Sequence, residues 1–452
     1  MASNPTLNPT PNPSLMQAVE KLGYRVTPGD VATQAGLDVN LAQRGLLALA
    51  SDAGGHLQVA ESGEVVYLFP KNFRAVMRDK FWRLRWKERW QKIWRVLFYI
   101  IRISFGIALI VSIVLILVTI VVILIALNSN RDNDERSDSG RSGGGGAIFM
   151  PHFWIGPDWF WFFSPNYGTY DRRYDESTRR LQAPEERQMN FLEAVFSFLF
   201  GDGDPNANLE DRRWKAIATV IRNHKGAVAA EQIAPYLDET GTGYAQEYED
   251  YMLPVLTRFN GRPEVSPDGA IVYHFPELQT TVAQQRPRSI APYLEEETWQ
   301  FSHATSGQIG MAIGLGVLNF VAALALAGLL GDGAIAAELG GLVAFTQSIM
   351  WLLLGYGTGF LTIPIIRYFW LKRQNQKIAA RNQQRQARVR ILNQANPDLQ
   401  KKLAYAQQFA AETVIRQQDL VYTTETDLLD QEASQTDRID AEWQRRLNQS
   451  NP

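Results

Sequence analysis

Apolar residues run almost unbroken from Val96 to Leu127, and a dense basic-aromatic stretch, Arg74 to Arg95, leads into them. About 20 apolar residues cross the hydrocarbon core of a bilayer. The part from Ile103 to Leu127 is long enough and holds no Pro and no acidic residue. Two further apolar runs follow, and the loop between them has no Lys or Arg. The pattern predicts transmembrane helices at 96–127, 308–330 and 342–370. Gly310 and Gly314 stand four apart, as do Gly355 and Gly359. Small residues at that spacing let helices approach closely in lipid, so these four predict a packed hairpin of the second and third spans. Pro364 predicts a kink or an end in the third.

Outside the spans, one pattern occurs twice. At 15–73 and again at 209–280, a short amphipathic helix (MQAVEKLGY; WKAIATVIRNH) precedes a turn and a second helix (VTPGDVATQAGLD; GAVAAEQIAPYLD). A third helix follows (LAQRGLLALASD; QEYEDYMLPVLTRF), then two strand-like runs joined by Ser62-Gly63 or Asp268-Gly269. The closing strings, VVYLFP at Val65–Pro70 and IVYHFP at Ile271–Pro276, nearly coincide. Three helices and a two-stranded wing form a winged-helix pattern. The expected fold is therefore an α-rich membrane protein with two winged-helix-like α+β repeats and a long C-terminal helical tail at 371–452. Tyr67, Phe69, Tyr273 and Phe275 are candidates for partner contact, with core burial as the alternative.

The remaining stretches have simpler readings. Residues 1–14 form an Asn/Pro-rich arm without the apolar core of a signal peptide. Residues 128–147 form a Gly-rich flexible linker, and 148–208 hold an aromatic segment and a short apolar helix, Phe191 to Phe200. The aromatic crowding around Trp154, Trp159 and Trp161 suits a membrane interface, where a ring body and a polar edge are both satisfied. The tail is Gln- and Ala-rich, with a second helix running through Leu399, Leu403, Val414 and Leu420.

Charge adds sidedness. The chain of 452 residues has a net charge of -2 and pI about 6.3, which is no nucleic-acid signature. The 74–95 stretch, however, is strongly basic. Trp82, Trp86, Trp90 and Trp94 recur every four residues and share one helical face. That face can lie on lipid while Arg78, Lys80, Arg83, Arg85 and Arg89 meet anionic head groups. Positive charge marks the cytoplasmic or stromal side, and the basic start of the tail, including Arg381, Arg385 and Arg388, votes for the same side. Three crossings cannot satisfy both votes, so the aromatic segment is expected to help return the chain across or into the membrane.

Candidate chemistry is sparse. There is no cysteine, which excludes disulfides, thiolate metal sites and Cys nucleophiles. The five histidines do not pair at ligand spacing, and no P-loop, HExxH or GxSxG occurs. The fragment Asp202-Gly203-Asp204-Pro205-Asn206 resembles the start of a calcium loop. It has Ala207 where Gly belongs and Arg213 where Glu belongs, so a helix-capping turn is the stronger reading. No catalytic residue, metal or cofactor is expected. Both third helices lack clustered Lys and Arg, which disfavours nucleic acid.

The string from Asn190 to Asn206, NFLEAVFSFLFGDGDPN, resembles a family of membrane proteins shared by cyanobacteria and plant plastids. Phe153-Trp154-Ile155-Gly156 and Asp158-Trp159-Phe160 are similar too. Some plant relatives carry an iron–sulfur cluster biosynthesis label, yet this chain has no thiolate for a cluster. The resemblance implies a photosynthetic membrane, with cyanobacterial thylakoid or plasma membrane as the setting. The leading expectation is a non-enzymatic integral membrane protein whose modules, mainly cytoplasmic, recruit a protein partner in assembly or organisation of a photosynthetic membrane complex. Anionic lipids are a second partner, and self-association is open. The alternatives are a membrane-tethered transcription regulator and a small-solute transporter or channel. The last needs ionisable groups within the spans, and only Arg102 and Arg367 qualify, both near span ends.

Overall fold

A computed structural model describes residues 12–80, 82–134, 189–284, 286–331, 333–427 and 429–431, with 436, 440, 443 and 444 beyond. The arm before Asn12, most of the linker, and Trp154, Trp159 and Trp161 lie outside the described residues. The chain divides into two compact units. One gathers Met1–Trp90, Pro205–Glu297 and Lys377–Pro452; the other holds Gln91–Asp204 and Thr298–Gln376.

The first unit begins with α1 (Pro13–Lys21), β1 (Arg25–Val26), α2 (Pro28–Ala35), α3 (Val39–Ala53), β2 (His56–Ala60), β3 (Val65–Leu68) and α4 (Phe73–Lys80). Local chemistry sets these boundaries. Thr27 and Asp30 cap α2 reciprocally, with Pro28 at its first position. Gly36 and Gly54 end α2 and α3 in the left-handed conformation that lacks a Cβ penalty. The second stretch of this unit has α7 (Leu209–Asn223), β4 (Ala227–Val228), α8 (Ala230–Ile233), α9 (Tyr244–Glu247), α10 (Leu253–Phe259), β5 (Arg262–Val265), β6 (Ile271–His274), α11 (Pro276–Gln279) and β7 (Thr280–Thr281). Strand order is β1-β3-β2 in the first stretch and β4-β6-β5 in the second. The registers correspond: Val26 pairs with Tyr67, and Val228 with Tyr273. One continuous core runs through both stretches, joining Leu15, Val31, Leu46, Phe69 and Phe73 to Ile217, Ile233, Phe259 and Phe275.

Tyr67, Phe69, Tyr273 and Phe275 are all buried in that core. They therefore do not form an exposed partner surface, because the pleat turns them inward against the helices.

The tail departs from its helical expectation. α16 (Pro397–Gln407) stops before Val414, and the chain continues as β8 (Thr413–Val414) and β9 (Leu420–Thr423). β8 runs parallel to β7, and β9 pairs antiparallel with the outer edge of β2. The β-branched run Thr413-Val414-Ile415 and the run Leu420-Val421-Tyr422-Thr423 suit a pleated surface. Here they cover sheet edges that would otherwise present unpaired backbone groups.

The second unit contains most of α5 (Trp82–Asp134), then α6 (Phe191–Phe200), α12 (Ser306–Leu329), α13 (Ala334–Leu339), α14 (Gly341–Ser348) and the start of α15 (Met350–Asn393). Among the described residues, three helices are long and apolar enough to cross a membrane: Lys92–Asn128, Ser306–Leu329 and Met350–Asn393. α15 passes through Pro364 without ending, so Pro364 is not a terminator. Membrane helices tolerate the lost backbone bond. α6 packs on α5, α12 and α15 through Phe191, Val195, Phe198, Leu109, Ala312 and Phe360. Polar pairs tie the spans together: Ser112 Oγ donates to Asn319 Oδ1 (2.8 Å), and the Thr119 and Thr346 hydroxyls lie 3.0 Å apart.

Among the described residues, the four glycines expected to pack meet no neighbouring helix: a Cβ at Gly310, Gly314 or Gly355 would meet no atom within 4 Å, and one at Gly359 would meet only Ile363 of its own helix at 3.8 Å. Close approach falls instead on other faces. Gly106 lies under Leu192, Gly316 under the Phe360 ring, and Gly357 against Phe320 at 3.2 Å. Gly316→Ala and Gly357→Ala should each destabilise the fold by about 1–3 kcal/mol through overpacking. Gly310→Ala and Gly355→Ala should leave it unchanged or slightly more stable, since Ala is the better helix former. Thermal unfolding in detergent separates the two pairs.

Candidate functional site

The first unit is held by three buried polar joints. The first centres on Asp30, which is 1% exposed at the start of α2. Its carboxylate accepts from Arg222 (2.6 Å) at the end of α7, from the Thr281 hydroxyl (2.9 Å), and from the Thr27 and Val282 backbone N–H groups. One side chain thus caps its own helix and bonds the second stretch of the chain. Around it, a Cβ at Gly29 would run into the Glu277 carbonyl, so the α2 and α11 backbones touch. Arg258 of α10 donates to the Gly36 carbonyl (2.6 Å) and stacks over Trp214, 4.4 Å from its ring centre. Asn40 and Asn260 bond each other at 3.0 Å.

The second joint binds the tail. Arg385 of α15 is 1% exposed and donates to Asp238 (2.5 Å), to Glu296 (2.8 Å) and to the Leu294 carbonyl (2.9 Å). Arg381 also holds Glu296, and Arg213 holds Asp238 from the other side (2.5 Å). Arg388 donates to the Ala234 and Leu237 carbonyls. These three tail arginines, read from sequence as a vote for membrane sidedness, are consumed by protein contacts. Burial would raise the Glu296 carboxyl, but the Arg381 and Arg385 guanidiniums outweigh it and hold the group below the ordinary carboxylate value. The third joint is on α16, where Lys402 bonds Glu231 (2.9 Å) and Glu249. Glu249 in turn accepts from the Tyr273 hydroxyl at 2.8 Å. Burial pushes the Tyr273 phenol well up, and the neighbouring Glu249 carboxylate adds to it.

Sequence reasoning found none of these joints. The Thr27-Pro28-Gly29-Asp30 capping signature was available as a signal. Arg385 had none, because its partners on the second stretch lie about 90 to 150 residues away.

In the second unit, Arg102 bonds Asp202, whose other oxygen accepts from the Ser197 hydroxyl (2.5 Å) and the His303 N–H (2.9 Å). Asp202 is thus satisfied by protein donors. Arg367 reaches off its own helix. It donates to the Ser197 (3.2 Å), Phe198 (3.1 Å) and Phe301 carbonyls and lies over the Phe301 ring. It satisfies the carbonyls at the end of α6. Among the described residues, no group of three or more His, Asp or Glu side chains is placed to hold a metal ion.

The basic-aromatic stretch is helical, split between α4 and α5. Trp86, Arg89, Trp90 and Trp94 are exposed, and so is Arg78. Lys80 bonds Asp52 at 2.7 Å. The side chains of Trp82, Arg83 and Arg85 are outside the described residues. The exposed surface of the first unit has a second feature. α3 turns Leu41 (61% exposed), Arg44 and Leu47 (52%) to solvent, and α10 turns out Leu253 (59%).

The chain is 38% identical to the uncharacterized chloroplastic protein At5g03900 of Arabidopsis thaliana over 447 residues, which cover 96% of this chain and 82% of that protein. It belongs to that protein's family. No family model and no solved structure matches the chain.

Removing one partner from a buried ion pair strands the others, at a cost of about 3–5 kcal/mol. Arg385→Met should therefore loosen the tail, seen as faster proteolysis after Asn393 and a lower melting temperature. The depressed Glu296 carboxyl contributes stability above its unfolded value of 4.5, lost as pH falls through the lower folded value. Below pH 4.5, Glu296→Gln should lose stability less steeply than the parent protein, measured by urea unfolding across pH.

Proposed function

We propose that the chain is an integral membrane protein of a photosynthetic membrane whose two winged-helix modules are fused into one protein-docking body. This body would serve assembly or organisation of a membrane complex. The chloroplastic relative and the three apolar helices support the membrane setting. The corresponding strand orders and registers of the two stretches support the winged-helix reading.

The observation that carries docking rather than DNA binding is the chemistry of the third helices. A winged helix that reads DNA needs Lys and Arg on the third helix to neutralise phosphates. α3 presents two leucines beside a single arginine. In α10 the one basic side chain, Arg258, is turned inward onto Gly36 and Trp214. Exposed leucines beside an arginine fit a protein partner better than a polyanion. A transport role has less support. Arg102 and Arg367, the two ionisable groups that qualify from the sequence, are both engaged by fixed protein acceptors. An iron–sulfur role is not part of this reading, because the chain has no cysteine.

Both modules and the tail belong to one compact unit, so they share one side of the membrane. The exposed cations Arg78 and Arg89 favour the cytoplasmic or stromal side.

Photocrosslinkers placed at Leu41 and Leu47 in native membranes, with mass spectrometry of the products, test the proposal. A recurrent membrane-complex protein is expected, lost in Leu41→Glu/Leu47→Glu while the melting temperature holds. Crosslinks to DNA, or an undiminished partner in the double variant, would contradict it.

A further inference from the structure

Within the first unit, a cavity of about 240 Å³ opens where the end of α7, the segment after β7 and the stretch after α16 meet. Four cations line it: Arg222, Lys225, Arg286 and Arg288, against the single carboxylate of Glu412. Arg222 is neutralised by Asp30. Arg288 is steered by its Nη1 donating to Gln34 (2.7 Å) and by a two-way bond between its backbone and the Asn223 side chain. Lys225 and Arg286 have no ion-pair partner among the described residues. These two cations remain against one anion. α7 ends here, and its dipole places roughly half a negative charge at this terminus. That is less than the surplus, so the cavity stays electropositive.

The backbone around Lys225 is held in an unusual state. Lys225 adopts φ 54°, a conformation non-glycine residues rarely take. Gly226 follows at φ 77°, and the space a Cβ would fill there is occupied by Gln279. The Lys225 carbonyl accepts from the Gln279 amide (3.0 Å) and from the Ala411 N–H (3.1 Å). The strain persists because the tail and α11 over-determine it. Its result is a fixed backbone beneath a lysine that lines the cavity together with Arg286 and Arg288.

We infer that this cavity is an anion site for a phosphate group, carried either by a small soluble molecule or by a lipid head group. Clustered Lys and Arg with polar neighbours are the chemistry that recognises phosphate oxygens. The volume suits one or two phosphoryl groups and is too small for a folded partner. Because Thr33 of α2, Arg222 of α7 and Glu412 of the tail all line it, occupancy would bridge all three chain stretches of this unit.

The test uses the full chain in phosphatidylcholine nanodiscs. Pyrophosphate is titrated by calorimetry, and in a second arm binding is measured to vesicles containing phosphatidylglycerol. Lys225→Gln/Arg286→Gln is the variant, since neither side chain holds the fold together; its melting temperature should match the parent. Saturable pyrophosphate binding that weakens at least tenfold in the variant sustains the inference with a soluble source. No pyrophosphate response, but vesicle binding that the variant loses, sustains it with a lipid source. Equal behaviour of parent and variant in both arms overturns it.

Discussion

A carboxylate sealed from water must be surrounded by donors or it unfolds its surroundings. Asp30 meets that demand with donors from two distant parts of the chain: its own helix start and the stretch from Arg222 to Val282. Everything else in the first unit is compatible with this joint. The shared core includes residues of both α2 and α7, so it closes with these helices together. Removing Asp30 would take from Arg222 its ion-pair partner and from the Thr281 hydroxyl one of its acceptors in the same place, so the two modules are coupled rather than merely adjacent.

That coupling bears on the membrane. α5 leaves the entry side near Arg102 and runs to Asp134, about 45 Å further at helical rise. Yet Leu192 of α6 lies against Gly106, back at the beginning of the span. α6 thus lies at the opposite end of α5 from Asp134. Arg381, Arg385 and Arg388 drop out of the membrane-facing charge count, while Lys372, Arg373 and Lys377 stay exposed after the third span.

Much of the architecture is legible along the chain because it is local. The three spans, the α2 cap and the correspondence of VVYLFP with IVYHFP each need only a short window. The failures are non-local or face-dependent. Gly310 and Gly355 share a spacing with true packing glycines, but spacing does not say which side of a helix meets a neighbour; Gly316 and Gly357 do. The tail's helical composition hid Val414 and Leu420 in strands, whose partners lie more than 100 residues away. Tyr67 and Phe275 were ambiguous because an aromatic in a half-buried strand reads alike from both faces. The joints around Arg385 carry no motif, since ion pairs formed across the fold leave no periodicity.

The central claim is that both modules and the tail form one body on one side of the membrane. The chain contains no cysteine, so single introduced cysteines give labelling without background. Gln43→Cys, Glu239→Cys and Lys401→Cys occupy exposed positions in the three stretches, and Glu338→Cys sits exposed between the second and third spans. With a membrane-impermeant maleimide on sealed, oriented vesicles, the first three should react from the same face and the fourth from the other. Labelling of any of the three from the face that reaches Glu338→Cys would contradict the account.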